Sequence, residues 1–200
     1  MKLEDFCATN DTRDYLRSTF EVAGHKIGCN GHWMAFMKGH NGDSAEIPEN
    51  VRERISSIIE TSHELSYQSL PPLTEPEEVD CHVCSGTGRS QTVLCSECEG
   101  DGSVKLENDY NTYYDIECKS CGGFGHKTTT DTDSGCLHCG NTGKAYSPTF
   151  AMDIDGVLLN PCYLIPVSKL PKVEVAALSD KNLLFFRSGE LNGVIMGRAA

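Results

Sequence analysis

Eight of the chain's eleven cysteines fall in four C-x-x-C pairs: CHVCSGTG (81–88), CSECEGDG (95–102), CKSCGGFG (118–125) and CLHCGNTG (136–143). No other feature restricts the fold as strongly. Each pair offers two thiolates about one turn apart, close enough to grip one ion. Tetrahedral zinc takes four ligands, so pairs must combine, and eight cysteines make two closed sites. A closed four-thiolate site leaves no position for water or substrate and is structural. Glycine follows each pair at the second and fourth positions, except that Asn141 replaces the first glycine of the last copy. Amides turning towards sulfur visit left-handed conformations, which Gly adopts cheaply and Asn next best. Residues 81–144 hold ten glycines and few apolar side chains, so they need a source of stability other than a hydrophobic core.

This pattern resembles the cysteine-rich zinc domain of the DnaJ family of co-chaperones, over residues 81–143. The resemblance implies two Zn2+ per chain, one held by Cys81, Cys84, Cys136 and Cys139 and the other by Cys95, Cys98, Cys118 and Cys121. The residues themselves leave sequential pairing open, which would give two separate fingers. Nested pairing would bring the module's ends together, and a module with adjacent ends can be inserted in a surface loop of another domain. The rest of the DnaJ pattern is missing. There is no His-Pro-Asp tripeptide and no amphipathic helical hairpin to carry it, so stimulation of a partner chaperone's ATPase is not expected. His82 and His138, inside the C-x-x-C loops, read as solvent-facing. Cys7, Cys29 and Cys162 read as buried reduced thiols.

The flanking segments differ in character. FEVAGHKIGCNGHWMAFM (20–37) alternates and carries Asn30-Gly31, a favoured two-residue hairpin turn. In IPENVRERISSIIETSHEL, Pro48 and Asn50 mark a helix start, and Val51, Ile55, Ile58, Ile59 and Leu65 recur at helical spacing. SLPPLTEPEEVD (69–80), with three prolines and four acids, reads as a linker. After the module, TFAMDIDGVLLN reads as a strand and NPCYLIPVSKLP as a short helix. VEVAALSD, NLLFFRSG and LNGVIMG read as three strands. That element order, with GCNGHWMAFM near residue 30, resembles the closing subdomain of bacterial DNA sliding clamps. The expected fold is α+β: a clamp-like domain of antiparallel strands and two helices, formed by residues 1–75 and 147–200 and interrupted by an irregular two-zinc module at 76–146.

One motif invites an enzymatic reading. DIDGVLL (153–159) looks like the first motif of haloacid dehalogenase-like phosphatases, with Asp153 as phosphoryl acceptor and Asp155 as acid/base. Only 45 residues follow Asp155, too few for the α/β sheet and later motifs of that class. Both carboxylates also alternate with Met152 and Ile154, as on a half-solvated antiparallel strand rather than a buried parallel one. The chain is therefore expected not to be an enzyme.

Net charge bounds the partners. With 17 bases against 29 acids, the chain carries −12, and two four-thiolate zinc centres would add about −4 more. Direct nucleic-acid binding is disfavoured. A protein partner with a basic face, such as a DNA- or RNA-handling protein, is favoured. A clamp-like DNA-associated accessory, which would require homo-oligomers, and a chaperone-like peptide binder are the rival expectations. The sequence lacks an apolar run of spanning length, and its start lacks the apolar core of a signal peptide. A cytoplasmic location is expected, and a compact protein of this kind suits a phage or mobile element.

Overall fold

The computed structural model describes all residues except 10, 12, 40–45, 108–109, 137–138, 140, 148 and 199–200. The chain forms two compact units, Met1–Pro76 with Pro148–Ala200, and Glu77–Ser147.

The first unit is a mostly antiparallel sheet with helices. Its strands are β1 (Phe20–Val22), β2 (His25–Cys29), β3 (Trp33–Lys38), β4 (Gln68–Ser69), β5 (Met152–Ile154), β6 (Val157–Leu159), β7 (Glu174–Leu178), β8 (Leu183–Ser188) and β9 (Leu191–Met196). Among the described residues, seven of them make one sheet in the order β1-β2-β3-β9-β8-β7-β4, with every pairing antiparallel. Strands from both ends of the chain thus meet at β3 and β9, where Met34 lies opposite Val194.

Period-two alternation gives this sheet two apolar faces. One carries Phe20, Ile27 and Phe36 as a row across β1, β2 and β3, and Met34, Val194, Phe185 and Ala176 as a row across β3, β9, β8 and β7. Helix α1 (Glu49–Glu64) covers that face, burying Ile55 and Ile59, one turn apart, in the same cluster. Each fully buried large side chain contributes roughly 1.5–3 kcal/mol. The other face is lined by small residues where aromatic rings cross it. A Cβ on Gly193 would lie 2.3 Å from the Phe186 ring, and one on Gly28 would lie 2.0 Å from the Leu3 carbonyl. Phe6 settles there, 4.4 Å from Trp33 and 6.0 Å from Phe186 between ring centroids. Helix α2 (Pro161–Ser168) starts with Pro161 in its first turn, and the Asn160 side chain accepts from the Cys162 amide, a regular N-cap. Its Tyr163 ring lies 5.3 Å from Trp33.

Four local expectations need correction. The β2–β3 turn is Gly31-His32 rather than Asn30-Gly31, because Asn30 and Trp33 are already hydrogen-bonded to each other; the Asn30 side chain accepts from the His32 and Trp33 amides, folding the turn one residue later. The segment read as one strand at 149–160 contains a hairpin, β5–β6, because Asp155 (φ 49°) and Gly156 (φ 84°) form its two-residue loop. The proline-rich linker is framed by strands: β4 pairs at the sheet edge with β7, and Glu78–Asp80 pairs with Lys144–Tyr146. Prolines 71 and 72 are tolerated because an edge strand can stop there. Finally, Cys162 is exposed, while Cys7 and Cys29 are half-buried.

Among its described residues, the second unit has three antiparallel ladders strung between cysteine clusters. Glu78–Asp80 pairs with Lys144–Tyr146, Gln91–Leu94 with His126–Thr129, and Ser103–Glu107 with Thr112–Glu117. Its two ends therefore lie side by side. Its buried apolar groups are the cysteines themselves, with Ala145.

Candidate metal centres

The sulfurs converge in two groups. Cys81, Cys84, Cys136 and Cys139 form one, and Cys95, Cys98, Cys118 and Cys121 the other, with all ligand atoms of a group within 4.8 Å of one another. The first pair meets the fourth and the second meets the third, so the arrangement is nested. Sequential fingers are not formed. Across pairs, Sγ–Sγ distances are 4.0 Å (Cys81–Cys136), 3.8 Å (Cys84–Cys139), 3.9 Å (Cys95–Cys118) and 3.7 Å (Cys98–Cys121). A disulfide needs about 2.05 Å. A tetrahedron with metal–sulfur bonds of about 2.3 Å has edges of about 3.8 Å. The sulfur cages have the dimensions of tetrahedral metal sites.

The backbone builds each cage by a repeated device. After every pair, the amide of the fourth-position glycine donates to the second cysteine's sulfur at 3.3 Å: Gly88 to Cys84, Gly102 to Cys98, Gly125 to Cys121 and Gly143 to Cys139. The carbonyl of the same glycine then accepts from the first cysteine of the partner pair. Cys136 donates to Gly88 and Cys81 to Gly143; Cys118 donates to Gly102 and Cys95 to Gly125, all at 2.8–2.9 Å. Two knuckles thus interlock reciprocally around each centre. The interlock explains the glycines: at Gly102 (φ +77°) a Cβ would sit 2.2 Å from the Gly123 carbonyl, and at Gly125 (φ +74°) 2.1 Å from that of Gly100. At the second position, Asn141 takes the left-handed slot (φ 71°) that Gly86, Gly100 and Gly123 fill in the other copies.

Donor chemistry suits a soft or borderline ion. Without metal, burial pushes the Cys81 and Cys118 thiols up to about 11. Burial also acts on Cys95, but the Glu97 and Cys98 amides directed at its sulfur outweigh it and bring it to about 7. Four thiolates packed together repel one another, and a divalent cation removes that conflict. Seven of the eight cysteines are buried and Cys139 is half-buried, and four thiolates complete the tetrahedron at each site. The residues fit two metal ions per chain.

The remaining candidates are placed as follows. His82 is exposed, and His138 lies outside the described residues. Asp153 and Asp155 are exposed on the β5–β6 hairpin. Asp153 Oδ1 accepts from the Gly156 amide at 2.8 Å, and Asp155 Oδ2 accepts from Gln68 Nε2 at 2.6 Å. Asp153 takes part in the hairpin's own hydrogen bonding, Asp155 is engaged by Gln68 of β4, and β5 pairs antiparallel with β6. Sequence reasoning missed the apolar side chains on the module's outside. Leu94 and Phe124 are each 75% exposed, and Tyr114 is 69% exposed beneath Lys105 Nζ at 5.6 Å. Their only signal was the presence of large apolar residues where no core could take them.

No family model, curated protein or solved structure matches this chain. Among the described residues no helix is long and apolar enough to cross a membrane.

Proposed function

We propose that the chain is a non-enzymatic zinc protein that binds another protein through its cysteine-rich module. Zinc is the metal of choice for four thiolates in a closed tetrahedral cage, because it needs neither redox chemistry nor a ligand-field geometry. The nested cage is the support for a DnaJ-type module. The order of antiparallel strands and helices in the first unit is the support for a clamp-like host.

The observation that carries the reading is the pairing of closed centres with exposed apolar side chains. Leu94 and Phe124 stand 75% exposed on a unit whose segment 81–144 holds nine acids and five bases. A surface both apolar and acidic fits a partner that is apolar and basic, such as the nucleic-acid face of a DNA- or RNA-handling protein. Closed centres play a scaffolding part here and hold those side chains in place.

The test compares the whole chain with the Leu94→Ser/Phe124→Ser variant as bait in a cytosolic extract. The expected result is a specific partner with a basic surface, captured by the parent, released by salt and lost from the variant. Equal capture by both, or salt-sensitive retention of the parent on DNA alone, would contradict the reading. Suppression of aggregation of an unfolded client without selectivity for basic proteins would favour the chaperone-like alternative.

A further inference from the structure

The first unit has a cleft of about 460 Å³ between α1 and the ends of β3, β8 and β9. That volume lies within the usual 300–1,000 Å³ of small-molecule sites. Its inner wall is apolar, with Phe20, Ile55 and Val194 buried and Ile58 and Leu183 half-buried. Its rim carries Arg13, Arg54 and Lys181, and none of the described lining residues is acidic. In a chain with 29 acids to 17 bases, a rim of three cations without a carboxylate is the opposite of the average surface. Arg13 is already held in a two-point contact by Asp11. Neither Arg54 nor Lys181 forms an ion pair with a described residue.

An apolar wall and a cationic rim together describe the two ends of one kind of molecule.

We propose that this cleft binds a small amphipathic anion, with its apolar part against Ile55, Ile58 and Leu183 and its carboxylate-like head between Arg54 and Lys181. This goes beyond the protein-binding role proposed for the cysteine-rich module and does not depend on it. Hydrogen bonds to charged groups are worth about 1.5–3 kcal/mol, so removing the cationic pair should weaken binding at least about tenfold.

Trp33 is the chain's single tryptophan and one of the residues at the cleft, so its emission is one readout in the intact protein, used together with the backbone amide signals of the lining. The probes are dodecanoate below its micelle concentration, dodecanol and acetate. Dodecanoate should shift the Trp33 emission saturably and move the backbone amide signals of Val51, Ile58 and Leu183. Dodecanol, lacking charge, and acetate, lacking a tail, should each bind at least about tenfold more weakly, as should dodecanoate to Arg54→Glu/Lys181→Glu. Both positions are exposed, so the fold should persist; Lys181→Gln serves as the milder variant if it does not. The proposal is overturned if dodecanol binds as well as dodecanoate, if the variants bind dodecanoate unchanged, or if no saturable response occurs.

Discussion

The sulfurs of Cys81 and Cys136 lie 4.0 Å apart although 55 residues separate them in the chain. That contact closes the cysteine-rich unit on itself. It also places the Glu78–Asp80 and Lys144–Tyr146 strands side by side, so the outer centre fixes the unit's two ends. Replacing Cys81 by Ser should reduce metal content from about two ions to about one. Amide exchange should accelerate at Val79 and Ala145, while the inner ladder Ser103–Glu107 with Thr112–Glu117 stays protected. Loss of protection throughout the unit would show that the two centres do not form independently.

Gly102 tests the interlocked knuckles. Its amide donates to Cys98 and its carbonyl accepts from Cys118, at a left-handed φ of +77° with the Gly123 carbonyl 2.2 Å from any added Cβ. The left-handed conformation alone costs a non-glycine residue about 1–2 kcal/mol. Gly102→Ala should therefore weaken metal binding at the inner centre by about tenfold or more, measured by competition with a chromogenic chelator. Unchanged affinity would mean that the knuckle geometry is not needed.

Metal loading should release protons. The Cys81 and Cys118 thiols, raised to about 11 without metal, are protonated at neutral pH, and a metal ion must displace those protons to bind sulfur. Because the free thiols hold protons that the metal-bound form does not, affinity should fall as pH is lowered from 8 to 6. Each displaced proton contributes about a factor of ten per pH unit. Calorimetry in buffers of different ionisation enthalpy reads the release directly. Buffer-independent heats would contradict it.

In the first unit, Phe36 is fully buried and pairs across the sheet with Ile27 and Asn192. Phe36→Ala should cost about 3–5 kcal/mol, seen as an earlier loss of the Trp33 signal on denaturant titration. A shift below about 1 kcal/mol would show that this row is not the centre of the core.

Much of the metal site was legible because metal chemistry writes its needs into spacing. Two thiols three positions apart and glycines at fixed offsets left few readings, and Asn141 fitted the same rule. Nesting was not legible from spacing, since sequential pairs satisfy the same ligand count; it is fixed by the Cys81–Gly143 and Cys95–Gly125 backbone bonds. Helix α1 was visible from Ile55 and Ile59. The β5–β6 hairpin was hidden because Asp155-Gly156 sits inside an apolar run that also matches a phosphatase motif. The cleft was invisible in the sequence: Arg13, Arg54 and Lys181 come from three distant segments, and only the sheet gathers them.

The most direct measurement is native mass spectrometry of the purified whole chain under non-reducing conditions. A folded chain with the mass of the fully reduced polypeptide plus two zinc ions, and no disulfide, is the predicted result. A folded chain without divalent metal, or one whose eight cysteines are joined as disulfides, would contradict it.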